Sequence, residues 1–176
     1  VIIAEAPDGR KAVFSDDRHY RYHLHIPIDQ GLLGGCNGAI AFLMLNPSTA
    51  TELVNDPTID RCYARAKAWH FAALQIINLF ALRSTDPAAL YAHAAGKGPE
   101  PTGGRMNDEA IVKVATGCQM LVCGWGRHGS YLGRAAGVLS MLRTAGAKPH
   151  YLRINDDGTP AHPLYLPYEL SPLPLW

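Results

Sequence analysis

The stretch Ala39 to Ala50, AIAFLMLNPSTA, restricts the fold more than any other part of the chain. Its unbroken apolar run leaves no side for solvent, which is the pattern of a strand buried on both faces, and such strands sit in parallel sheets covered by helices. Pro47 has no amide hydrogen to give a ladder, so the strand must stop there. In an open parallel sheet the loops leaving the carboxyl ends of the strands line the ligand crevice. Asn46 and the hydroxyls of Ser48 and Thr49 thereby become candidates for chemistry, although an ordinary Asn-Pro turn would look the same.

The chain has 176 residues, 48% of them hydrophobic, enough for one domain with a substantial core and too few for two. A single domain over residues 1–176 is expected, with residues 1–26 as an N-terminal β extension. A net charge of +1 gives no general pull on nucleic acid, so any such face must be local. Arg18, His19, Arg21, Arg127, His128 and Arg134 form small basic clusters that can supply one, although solvated surface charge is the commoner meaning of such clusters. Cys36, Cys62, Cys118 and Cys123 show neither a CxxC pair nor zinc-finger spacing, and the chain starts without a secretion signal, which fits reduced thiols in a cytoplasmic protein. No apolar run approaches the roughly eighteen residues needed to cross a bilayer.

Pro7 to Arg10 separates two short β-prone pieces, as in a hairpin. Tyr20, Tyr22, Leu24 and Ile26 sit two apart, as do Arg21, His23 and His25, predicting a strand with one apolar and one basic face. His23 and His25 can point at one metal, but without a carboxylate or cysteine beside them a wet strand face is the better reading. Asp56-Pro57 has the form of a helix cap, with Ile59, Cys62, Tyr63 and Ala66 following at helical spacing. Leu74 to Ile77 reads as a second buried strand ending in Asn78, and Asp86-Pro87 repeats the cap before a short helix through Tyr91. A helix from Asn107 leads to a strand Gln119 to Cys123. Gly124-Trp125-Gly126 follows, then a helix from Tyr131 to Ala145, a strand His150 to Ile154, and a proline-rich tail. This alternation predicts an α/β fold with a mainly parallel central sheet between helical layers.

Asn46, Asn78, Trp125 with its flanking glycines, and His162 each fall just beyond a predicted strand, so right-handed winding gathers them at one sheet edge. NPSTA, NDPTI, NLFALRSTDP, the tryptophan-glycine and HPLYL together resemble the bacterial and phage domain-of-unknown-function family 1643, over roughly Phe14 to Leu166. The same order of parts is similar, more distantly, to the uracil-DNA glycosylase superfamily. That resemblance implies a three-layer α/β/α sandwich and a monofunctional DNA glycosylase that uses no cofactor or metal. It implies Asn46 and His162 as catalytic residues, with Asn78, Pro47, Ser48 and Phe80 around the base. Arg83, Trp125, Arg127, His128, Leu164 and Tyr165 are the implied DNA contacts. The first motif lacks Gln-Asp-Pro-Tyr, and Leu164-Tyr165 stands in place of Ser-Pro-Leu-Ser, which points away from ordinary uracil towards a modified pyrimidine.

Breaking a base-sugar bond passes through an oxocarbenium-like state while negative charge grows on the departing base. Asn46 can orient water with its carbonyl oxygen, His162 can donate to the leaving base, and Asn78 can read a pyrimidine edge in either amide orientation. The base must first leave the stack, and Leu164 or Tyr165 is placed to wedge into the gap. DNA is the expected partner, with no membrane and no readable protein partner. Two rivals stand beside this: a module that binds a nucleotide or modified DNA without cleaving it, and a dinucleotide-dependent oxidoreductase suggested by the GxGxxG match at Gly124, Gly126 and Gly129.

Overall fold

The computed structural model describes residues 1–29, 31, 37–48, 56–86, 88–93 and 95–176. Cys36, Thr49 and Pro87 lie outside the described residues. The described residues form a mixed α/β fold with one eight-stranded sheet and four α-helices. The strands are β1 (Ile2–Glu5), β2 (Lys11–Phe14), β3 (Arg21–Pro27), β4 (Asn37–Met44), β5 (Phe71–Asn78), β6 (Met120–Cys123), β7 (Pro149–Tyr151) and β8 (Leu173–Pro174), and the helices α1 (Pro57–Ala68), α2 (Ala89–Ala92), α3 (Gly104–Gly117) and α4 (Arg134–Thr144). Across the sheet the order is β1-β2-β3-β5-β4-β6-β7-β8.

The expectation of a mainly parallel sheet is corrected here. Three pairings are parallel (β5 with β4, β4 with β6, β6 with β7) and four are antiparallel. Parallel neighbours need a long crossover, and α1, α3 and α4 supply the three that exist. The N-terminal strands and β8 arrive through turns or tail and pair antiparallel at the two margins.

The predicted buried strand is β4, near the middle of the sheet, and its side chains alternate between two cores. Ile40, Phe42 and Met44 pack with Ile59, Cys62 and Ala66 of α1. Ala41 and Leu43 pack with Ile111 and Val114 of α3 and with Val138 and Leu142 of α4. Helices on both faces explain why the run carries no polar side. Asp56 caps α1 as its sequence form predicts, Oδ1 accepting from the Ile59 amide at 2.8 Å.

Two local readings change. The helix expected from Tyr131 starts instead at Arg134, because Leu132 (φ 54°) and Gly133 (φ 64°) are left-handed and divide it from a 3₁₀ segment over Arg127–Gly133. The second concerns β3. Val13 pairs with His23 and Phe14 with Arg21, so Tyr22 is an extra residue, a β-bulge that reverses the alternation. Beyond it Tyr22 turns to the α3 side, beside Gly103, and Arg21 joins the face of Leu24 and Ile26. The strand has no wet basic face at Arg21, which is buried.

His23 is partly covered as well, and burial pushes its imidazole down to about 4. The unfolded chain takes up that proton near the ordinary value of about 6.5. Because the unfolded state then binds more protons than the folded one, stability falls as pH drops from about 6.5 towards about 4. Burial also lowers His25 and His162, which adds in the same direction. Urea unfolding at pH 7 and pH 4.5 is expected to show the loss, and His23→Gln to lessen it; an unchanged loss in that variant would assign the effect elsewhere.

Candidate functional site

The parallel register sets the site. Met44 lies opposite Asn78 and Leu43 opposite Cys123, so β4, β5 and β6 end at one level. Pairing continues just past the strand ends, where Leu79 N–H donates to Met44 O and Phe80 N–H to Leu45 O, both at 2.9 Å. The Asn46 side chain then ties its loop to the next: Nδ2 donates to Ser84 O at 2.9 Å and to Pro47 O at 3.2 Å. With its amide nitrogen engaged, Oδ1 is the part of Asn46 left for a ligand.

The His162 loop is brought to the same edge from the far end of the chain. Gly126 N–H donates to Pro160 O at 2.9 Å and Ala161 N–H to Arg153 O at 2.8 Å. A Cβ at Gly124 would sit 2.9 Å from Pro163 Cδ, so only glycine lets the loop approach this closely. Beyond the loop, Arg65 Nη2 donates to Leu166 O at 2.8 Å and to Pro167 O at 3.0 Å, and Tyr168 stacks under Arg61 and Arg65, which straps the tail to α1.

These loops enclose a cleft of about 770 Å³. Asn46, Asn78, Ser48, Trp125, Arg127, His128, His162, Leu164 and Tyr165 all line it, so most of the residues expected at the site are together. Tyr165 is 82% exposed and stands free at the rim, which excludes core packing for it. Trp125 borders the cleft but is only 2% exposed, its ring wedged over Gly129, so it supports the wall rather than offering a surface to DNA. Three expected residues are not among the lining. Pro47 is buried in its loop, Phe80 is wholly buried with its ring 6.0 Å from that of Tyr131, and Arg83 lies over Phe14 with Nη1 donating to Arg18 O.

Leu164 N–H donates to His162 Nδ1 at 3.4 Å, which leaves the ring proton on Nε2. Burial holds this imidazole below its ordinary range, opposed by the Asp56 carboxylate, so the ring is neutral at pH 7. Asn78 is 1% exposed, and its Nδ2 has no partner among the described residues. Behind it Asn107 of α3 donates from Nδ2 to Asn78 O at 3.1 Å and to Leu79 O at 3.2 Å, pinning the end of β5.

The lining also contains residues that the motifs did not single out for the site: Arg21, Asp56, Thr58, Ser84, Thr85, Arg153 and Asn155. Asp56 was legible only as a helix cap, and Arg21 only as part of a basic cluster on the polar face of a strand. Asp56 is the sole carboxylate among the described lining residues, against three arginines. The glycines of the GxGxxG match have packing reasons at Gly124 and Gly129, and the turn enters a 3₁₀ segment instead of the α-helix a dinucleotide turn requires. Among the described residues no three metal-ligating side chains cluster, and no helix is long and apolar enough to cross a membrane. No curated protein and no solved structure matches the chain. A family model described as a protein of unknown function, DUF1643, matches residues 21–164, from Arg21 beside the bulge through the histidine loop, and the chain belongs to that family.

Proposed function

We propose that this protein is a monofunctional DNA glycosylase that hydrolyses the bond between sugar and a flipped-out pyrimidine, leaving an abasic site. A hypermodified cytosine of phage DNA is the favoured base and uracil the second, with a role in antiviral defence or in repair. The observation that carries the reading is the convergence of Asn46, Asn78 and His162 on one cleft, with a buried amide donor at Asn78 that has no partner among the described residues. Helices on both faces of the sheet, and the chain order Asn46, Asn78, Trp125, His162 of the residues gathered at one edge, support the likeness to the three-layer uracil-DNA glycosylases.

In this mechanism Asn46 Oδ1 holds water beside the sugar, and Nε2–H of neutral His162 faces the charge that grows on the leaving base. Asp56 adds a negative group that favours a cationic sugar. Arg127, His128 and Arg153 are exposed at the mouth, where they suit backbone phosphates, and Tyr165 is free to fill the vacated stack.

The test is mass spectrometry of bases released from a panel of natural and phage-modified DNAs, with alkali cleavage to reveal abasic sites. Release of one modified pyrimidine without added metal or cofactor is expected. Retardation of modified DNA with no base released would instead identify a binding module.

A further inference from the structure

We propose that the floor of the cleft is a receptor for negative charge on the edge of the ligand's ring, with Arg21 supplying the countercharge and Asn78 the adjacent donor. The bulge at Tyr22 is what puts Arg21 there, since regular alternation would have carried it to the opposite face of β3. Arg21 is 2% exposed, and Nε and Nη1 find no hydrogen-bond partner among the described residues. Stripping a guanidinium of water without pairing it is among the costlier arrangements a fold can hold, and such groups recur where a ligand completes them. Burial pushes Arg21 down to about 10, Asp56 opposing and Arg83 adding to the shift, so it keeps its charge at neutral pH.

Asn78 ends β5 on the face that carries Ile76, the face Arg21 joins, and its unpartnered Nδ2 is a second donor aimed at the same floor. Both groups demand acceptors. Met44, Ile59 and Ile76 line the cleft around them, which suits a flat ring better than a hydrated phosphate. Asp56 offsets the positive charge only in part, since three arginines stand against this one carboxylate among the described lining residues. The ligand chemistry is therefore an anionic heterocycle, its charge coming either from an ionised ring or from an acidic substituent. The glycosylase reading enters only in taking the occupant to be a nucleobase.

The test is calorimetric binding at pH 8 of three free bases to the full chain: uracil, 5-nitrouracil, whose ring is ionised at that pH, and 5-carboxyuracil. At least one anionic probe is expected to bind tenfold or more tightly than uracil, and Arg21→Met to bind that probe no better than uracil. Preference for 5-nitrouracil alone assigns an ionised ring, and preference for 5-carboxyuracil alone an acidic substituent; either supports the receptor. Equal binding of all three, no binding of any, or a preference that survives in Arg21→Met would overturn it. The wild-type comparison stands without any variant, and Arg21→Met should melt close to wild type, since it exchanges for apolar volume a buried charge whose Nε and Nη1 have no partner among the described residues. A marked drop in melting temperature would make Arg21 a structural residue and also overturn the receptor. Base release is scored separately. Its absence beside an arginine-dependent preference removes the glycosylase reading alone, and its presence with equal probe affinities removes the receptor alone.

Discussion

His162→Ala and Asn46→Ala are each expected to slow base release by about a hundredfold or more, in the range for loss of one positioned donor or one water-orienting group. His162 has little structural duty to confuse the result. Its Nδ1 accepts one long bond, 3.4 Å from the Leu164 amide, at the start of a three-residue 3₁₀ turn. Losing that cap costs about 1 kcal/mol or less. Asn46 holds two backbone oxygens, so its alanine variant should lose about 1–2 kcal/mol of stability as well as activity. Single-turnover release from the preferred DNA, beside a melting curve of each variant, separates the two effects. Full activity in both variants would remove the assigned roles.

Gly129→Ala carries the largest expected effect on stability. A Cβ there would fall within the indole of Trp125, a ring that is almost wholly buried and packed among Ala135, Leu139 and Val138. The ring can relieve the clash only by giving up its packing in that core, and overpacking of this kind costs roughly 3 kcal/mol. For a domain of this size that lowers the melting temperature by about 6–12 °C. The displaced indole also borders the cleft, so base release should fall with stability. A melting temperature within a degree of wild type would mean that the wall is looser than its packing indicates.

The two carboxamides were readable because each follows an apolar segment that can hardly be anything but a strand, and parallel strands deliver their ends to one edge. Asn46 and Asn78 came with β4 and β5. His162 came with the histidine-proline loop, which lies well beyond β7, although the hydrogen bond that ties this loop to the sheet edge, from Gly126 N–H to Pro160 O, joins residues far apart in the chain. Phe80 shows the limit of that reasoning. It sits two residues past Asn78 in the same motif, yet its side chain points into the α3 and α4 core.

Local pattern thus determined the central strands, the cap of α1 and the convergence of the polar strand ends, since those follow from side-chain period and from proline and asparagine chemistry. Only the tertiary structure decided the balance of parallel and antiparallel pairing, the strap of the tail on α1, and above all the place of Arg21. A bulge is the insertion of one residue against a partner strand, so it exists only in the pairing of β2 with β3 and leaves no mark on the sequence of either.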